Sequence, residues 1–254
     1  MDLVAVIFLI SVGFAVGSFL NVCIYRLPRR QSIVWPASKC LMCGRLLHWF
    51  ETIPVLAYFV LGRRCRTCGV GISAVYPMVE LVTPALFVLH YCQLGWQPLM
   101  GGQLVFTCAM VTLFVTDLQQ RILPNVITMP GIVIGLVLSV FLLPGFQDGL
   151  IGAVIGGGML LAVREAYYRV RGEKGLGMGD VKMVSMIGAF LGWKLMLVAV
   201  VMASVLGAAI GIGMLMFSIA DRKYALPFGS FLAVGATVSS LVGQKVVAWY
   251  VSFL

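Results

Sequence analysis

Six side chains in this sequence have types and spacings that can do chemistry. Four are thiols, Cys40 and Cys43 in CLMC and Cys65 and Cys68 in CRTC, with 21 residues between the two hooks. Four thiolates paired in this way can close a tetrahedral zinc site with Zn–S bonds of about 2.3 Å. Four sulfurs leave no open coordination position, so such a metal is structural. The alternative is two disulfides or unligated thiols, and a reducing compartment disfavours disulfides. The other two side chains are carboxylates, Asp117 in LFVTDLQQRILPN and Asp180 in KGLGMGDVKM. Brought together, they would hold one proton between them, because two adjacent negative charges do not both persist in a low-dielectric site. One then acts as general base on a water, and the other as general acid toward a peptide carbonyl or leaving amine. Taken singly, each could instead be a solvated helix end or an ion-pathway residue.

The elements that must position these groups are membrane spans. Of the 254 residues 61% are hydrophobic and 11% charged, and the mean hydropathy is +1.04. Apolar runs long enough for a bilayer core of roughly 30 Å recur along the chain. The expected fold is an all-α polytopic membrane protein with about eight spans and a small zinc-binding module. The spans are expected near 3–25, 76–93, 101–117, 124–143, 149–169, 181–193, 195–219 and 229–252, the sixth too short to cross alone. No small-residue cleavage pattern follows the first run, so it is expected to be retained. The formal charge of +9 is concentrated, with eight of the 18 Lys and Arg between Arg26 and Arg66. Beside a span this is an orientation signal and not a nucleic-acid surface. It places the N-terminus outside and the 26–75 stretch inside. Alternating the spans from there puts Arg121, Arg169, Arg171, Lys174, Arg222 and Lys223 inside as well. Asp117 then ends one span, and Asp180 begins another, at the same inner depth.

Other residues support this arrangement. Gly177 and Gly179 would permit an irregular turn and close approach of a substrate backbone beside Asp180. Pro124, in LPN, breaks the chain after Asp117. Gly13, Gly17 and the small residues of GAVIGGGMLLA and GAAIGIG are read as helix-packing positions. The apolar stretch IPVLAYFVLG at 53–62 is expected to fill the cysteine module. His48 is read as a surface residue, because four sulfurs already suffice, and His90, Cys23, Cys92 and Cys108 as packing residues.

In order along the chain, GSFLNVCIYRLP, the double C-x-x-C, ETIPVLAYFVLGRRCRTC leading to YPMVE, DLQQRILPN and GMGDVK resemble the prepilin peptidases of type IV pilus and type II secretion systems. The resemblance covers nearly the whole chain. It implies a G-x-G-D membrane aspartic peptidase of the bacterial inner membrane that cuts a basic leader from prepilins or pseudopilins after a glycine on the cytoplasmic side. Asp117 and Asp180 match the two catalytic positions. It also implies methylation of the new N-terminus from S-adenosylmethionine, associated with the N-terminal half. Glu80 is the candidate for binding an amine there, and an ion pair to Arg26 is its plain alternative. The domains so drawn are a first span at 1–25, a cysteine module at 26–75 and a peptidase core at 76–254. Two departures stand out. Gln119 and Gln120 replace a frequent Asp-His, and Ser230 replaces a frequent proline in PFGS, a change expected to matter little. A peptidase without methyl transfer, or a proton-relaying transporter, are the competing readings. The sequence says nothing of oligomeric state.

Overall fold

The computed structural model describes residues 2–172, 175–217 and 226–253, the Trp49 side chain excepted. Lys174, Arg222 and Lys223, which entered the charge argument, lie outside the described residues. The helices are α1 (Leu3–Arg26), α2 (Leu56–Val60), α3 (Val75–Leu94), α4 (Pro98–Gln120), α5 (Asn125–Phe141), α6 (Phe146–Arg171), α7 (Met178–Met216) and α8 (Phe228–Val251). The only extended pairing among the described residues is two isolated antiparallel bridges. Six helices, α1, α3, α4, α6, α7 and α8, are long and apolar enough to cross a membrane, and α5 is a shorter apolar helix of 17 residues. The all-helical membrane class is therefore as the composition requires.

The boundary expected between the spans at 181–193 and 195–219 is present as a kink, because the 39 residues of α7 are two helical stretches that meet at Gly192. Unbroken, it would run about 58 Å, far beyond a bilayer core. Gly192 interrupts it with φ 77 and ψ 171, a conformation open to glycine. A methyl group there would also lie 2.9 Å from the Pro144 ring. The helix resumes at once after the glycine.

The chain forms two compact units, residues 1–96 and 97–254. In the first, α1 packs along α3. Asp2 caps α1 by accepting the Val4 N–H at 3.1 Å, and Arg26 complements the dipole in its last turn. Gly17 lies so near α3 that a methyl there would come 2.9 Å from Glu80 Cα, which accounts for the small residue. The stretch 53–62 does not fill the cysteine module. Its helix α2 buries no residue, and Leu56 and Val60 stay 62% and 81% exposed. Five helical residues make little more than one turn, too few to present a face to a core.

In the second unit α7 packs against α5, α6 and α8, and α4 packs against α8. The core draws Phe106, Met110 and Leu113 from α4, Met183, Met186, Ile187 and Met196 from α7, and Leu232 from α8. The Phe106 and Phe190 rings meet at 5.1 Å. Lipid tails are as apolar as these side chains, so association depends on contact and on small residues that admit it. Gly149 of α6 is one, because a methyl there would lie 3.1 Å from the Ala189 carbonyl oxygen of α7.

Candidate active site and metal centre

The four thiols come from two hooks of one design. In the first, the Cys40 N–H donates to the Arg45 carbonyl at 2.8 Å and Gly44 N–H returns to the Cys40 carbonyl at 3.0 Å. In the second, Cys65 N–H donates to Val70 at 2.8 Å and Gly69 N–H to Cys65 at 2.9 Å. A bridge closes each hook, Lys39 with Leu46 and Arg64 with Gly71. Gly44 and Gly69 turn the chain at φ 70 and 68, where a side chain is disfavoured. Those two glycines were missed from sequence, although a glycine directly after each C-x-x-C was the available signal. The Sγ atoms of Cys40, Cys43, Cys65 and Cys68 all lie within 4.8 Å of one another, and Cys40 and Cys68 are 3.8 Å apart. A tetrahedron of Zn–S bonds has edges of about 3.8 Å, so the thiol set fits zinc.

The hooks favour a thiolate at their first cysteines, while burial and the neighbouring thiols push Cys68 up to about 11. Backbone N–H groups of Cys68 and Thr67 pull the Cys65 thiol down to about 6. Those of Cys43 and Met42 lower Cys40 in the same way. Beside them Arg45 donates to Glu51 at 2.8 Å, and its guanidinium also contacts the Cys65 sulfur. That guanidinium, with the His48 N–H at 2.9 Å, holds the Glu51 carboxyl below the usual carboxylate range. His48 is exposed and stacks on Phe50 at 5.4 Å, outside the thiol cluster.

Asp117 is 5% exposed in the last turn of α4. The helix stops because Arg121 adopts a left-handed conformation, φ 54, and Leu123-Pro124-Asn125 leads directly into α5. Pro124 is the residue before α5, and its carbonyl accepts the Ile127 and Thr128 N–H groups. Asp180 is half-buried in the first turn of α7, where its Oδ2 accepts the Gly177 N–H at 3.2 Å. Asp117 Oδ2 accepts the Ser230 N–H at 2.7 Å and the Ser230 hydroxyl at 3.0 Å, both from the first turn of α8. Each carboxylate thus meets donors at a helix N-terminus.

Leu123 sits between the two helix starts. A methyl on Gly179 would lie 2.9 Å from Leu123 Cβ, and one on Gly229 would lie 2.9 Å from Leu123 Cδ1 and 3.0 Å from Asp117 Oδ2. The charges of Asp117 and Asp180 act on one another. Lys182 adds a tie across the site by donating to Asn125 Oδ1 at 2.9 Å. The glycines also have a reason within the fold. Gly177 is in ordinary extended backbone, φ −73, and a side chain there would meet Asp180 Oδ2 at 2.9 Å. Gly179 leaves room for Leu123. Ser230, Leu123 and Gly229 were the residues that sequence reasoning underrated.

Glu80 stands apart in the first unit. It accepts the Val55 N–H at 2.8 Å and the Asn21 amide at 3.5 Å. Its partner is not Arg26, whose guanidinium donates to the carbonyls of Ser32, Pro36 and Ala37. Val55 reaches Glu80 from a positive φ of 62, an uncommon conformation for a β-branched residue.

Fold and sites together define a polytopic helical membrane protein with a pair of aspartates at helix ends and a four-thiol centre. Residues 11–94 match the Bacterial Peptidase A24 N-terminal domain, and residues 104–212 match the Type IV leader peptidase family. The chain belongs to that family. It is 32% identical to a prepilin leader peptidase/N-methyltransferase of Pseudomonas aeruginosa, over 96% of this chain and 92% of the relative. One of Aeromonas salmonicida is 33% identical over 98% and 94%. A third, of Myxococcus xanthus, is 42% identical over 83% of this chain and 63% of its own length. No solved structure matches the chain.

Proposed function

We propose that this chain is a bacterial inner-membrane aspartic peptidase that removes the leader from prepilins or pseudopilins and methylates the N-terminus so exposed. What supports the reading is that Asp117 and Asp180 stand at helix ends that both approach Leu123, each accepting a donor from the start of a helix. The relatives' names supply the substrate class, and all those quoted combine peptidase with N-methyltransferase. Neither a transporter nor a peptidase alone is favoured by them. In the proposed reaction one aspartate enters ionised and the other protonated. The ionised carboxylate takes a proton from water as the water oxygen bonds to the scissile carbonyl carbon. The protonated one gives its proton to the carbonyl oxygen. Breakdown reverses both transfers, the first carboxyl now protonating the leaving nitrogen.

Zinc, when held by Cys40, Cys43, Cys65 and Cys68, would cross-link the two hooks of the 26–75 module and take no part in the cut. The methyl donor would be S-adenosylmethionine. Glu80 has its oxygens engaged by Val55 and Asn21, and no Gly-rich strand–helix loop is present among the described residues. No step of methyl transfer is therefore assigned to a residue. The basic loops support a cytoplasmic side for the aspartates' end of the spans. The test is to incubate the purified protein with a prepilin, with and without S-adenosylmethionine, and to weigh the product. A cut after glycine and one added methyl group support the reading. An uncut prepilin contradicts it, and a cut product that never gains a methyl group removes the transferase half.

A further inference from the structure

We propose that Ser230 is a positioning residue for Asp117, assigning it the ionised, water-activating role in the pair and leaving Asp180 to carry the proton. This rests on the reading of Asp117 and Asp180 as the catalytic pair. Both donors of Ser230 converge on one oxygen, Oδ2, at 2.7 and 3.0 Å. Ser230 is 2% exposed, so water does not compete for that contact. An oxygen that receives two donors has no room for a proton of its own, and hydrogen bonds to the charged form favour it. Oδ1 of Asp117 is then the atom that faces the attacking water. Asp180 receives the Gly177 N–H at the longer distance of 3.2 Å, and its own backbone N–H, but no side-chain hydroxyl. The two carboxylates are therefore unequal before substrate arrives.

The contact is built by α8. Ser230 is the third residue of that helix, where its N–H lacks a partner four residues back, and the dipole adds to its attraction for a negative charge. The N–H also lies 3.2 Å from the Pro227 carbonyl, and the hydroxyl 3.2 Å from that of Phe114, each longer than the contact to the carboxylate. The other charges that act on Asp117 are Asp180 of α7 and Arg121 just past α4. The spanning portions of α5 and α8 bring no acidic or basic side chain before Lys245.

The position permits a clean test, because a helix's first turn tolerates proline, which has neither the N–H nor the hydroxyl. The full-length protein is assayed for prepilin cleavage from pH 5 to 8 as wild type, Ser230→Thr, Ser230→Ala and Ser230→Pro, with Asp117→Asn beside them. The expected result is a graded loss of kcat with KM unchanged, small for Ala, about tenfold for Pro and growing toward pH 5, with Thr restoring wild-type behaviour. Helix content and bound zinc stay constant across the set. A folded Pro variant whose pH profile superimposes on wild type overturns the proposal while an inactive Asp117→Asn keeps the catalytic reading. If Pro fails to fold, the Ala profile decides in the same way. An active Asp117→Asn overturns both.

Discussion

The cysteine centre and the aspartate pair gather their reactive groups by opposite routes. The four thiols lie between Cys40 and Cys68, and each hook shapes itself through hydrogen bonds within its own turn. The carboxylates stand at the ends of α4 and α7, and the strongest donors to one of them come from a third helix, α8. The first site is local, exposed and repeated. The second exists only when three helix ends and the Leu123 wedge are in place. A local site can be lost without disturbing the helices elsewhere, whereas a tertiary site is sensitive to small displacements of any helix that builds it.

That difference predicts how each site fails. The largest effect is expected for Asp117→Asn or Asp180→Asn, which should lower prepilin cleavage by about a thousandfold or more while zinc content and helix content stay as in wild type. Next, Cys65→Ser should abolish stoichiometric zinc and expose the 26–75 stretch to protease. The thermal melting of the helices should change far less. Wild-type zinc content in that variant would break the four-thiol assignment.

Acid should act on the cysteine centre in a definite direction. The Cys65 thiol is held at about 6 in the folded hook, below an ordinary thiol near 8.5. In the metal-free hook its contribution is complete above the ordinary value, falls as pH drops, and is gone below about 6, while Cys68, pushed up to about 11, stays protonated throughout. Alkylation rates of the metal-free protein at stepped pH measure this, and a Cys65 that reacts only as an ordinary thiol near about 8.5 would contradict it. Smaller again is Gly229→Ala. Its methyl would press on Leu123 and on Asp117 Oδ2, so cleavage should fall by roughly tenfold, about 1–3 kcal/mol of local misfit. The smallest effect is expected for Lys182→Met, which removes an exposed hydrogen bond to Asn125 and should shift stability by less than about 1 kcal/mol.

The same contrast explains what could be read from sequence. C-x-x-C spacing, apolar span length and the placement of Asp117 and Asp180 at helix ends are properties of short stretches, and each was legible there. Even the overlooked Gly44 and Gly69 sit one residue beyond a recognised hook. What was not legible depends on which helix meets which. Nothing around Ser230 says that its N–H will meet a residue 113 positions earlier. Gly177 and Gly179 announced a special position, but only the fold shows that Asp180 and Leu123 occupy the space their side chains would need. The stretch 53–62 misled for a related reason. Its composition resembles a core, yet a single short helix with no partner face leaves those side chains outside.

The central claim is that Asp117 and Asp180 act as one unit. The measurement that tests it most directly compares the prepilin cleavage rates of Asp117→Asn, Asp180→Asn and the double variant. If the pair shares one proton, either single change should cost as much as both together. Substantial cleavage in either single variant, or losses that multiply in the double, would show that the carboxylates act independently and would contradict the account.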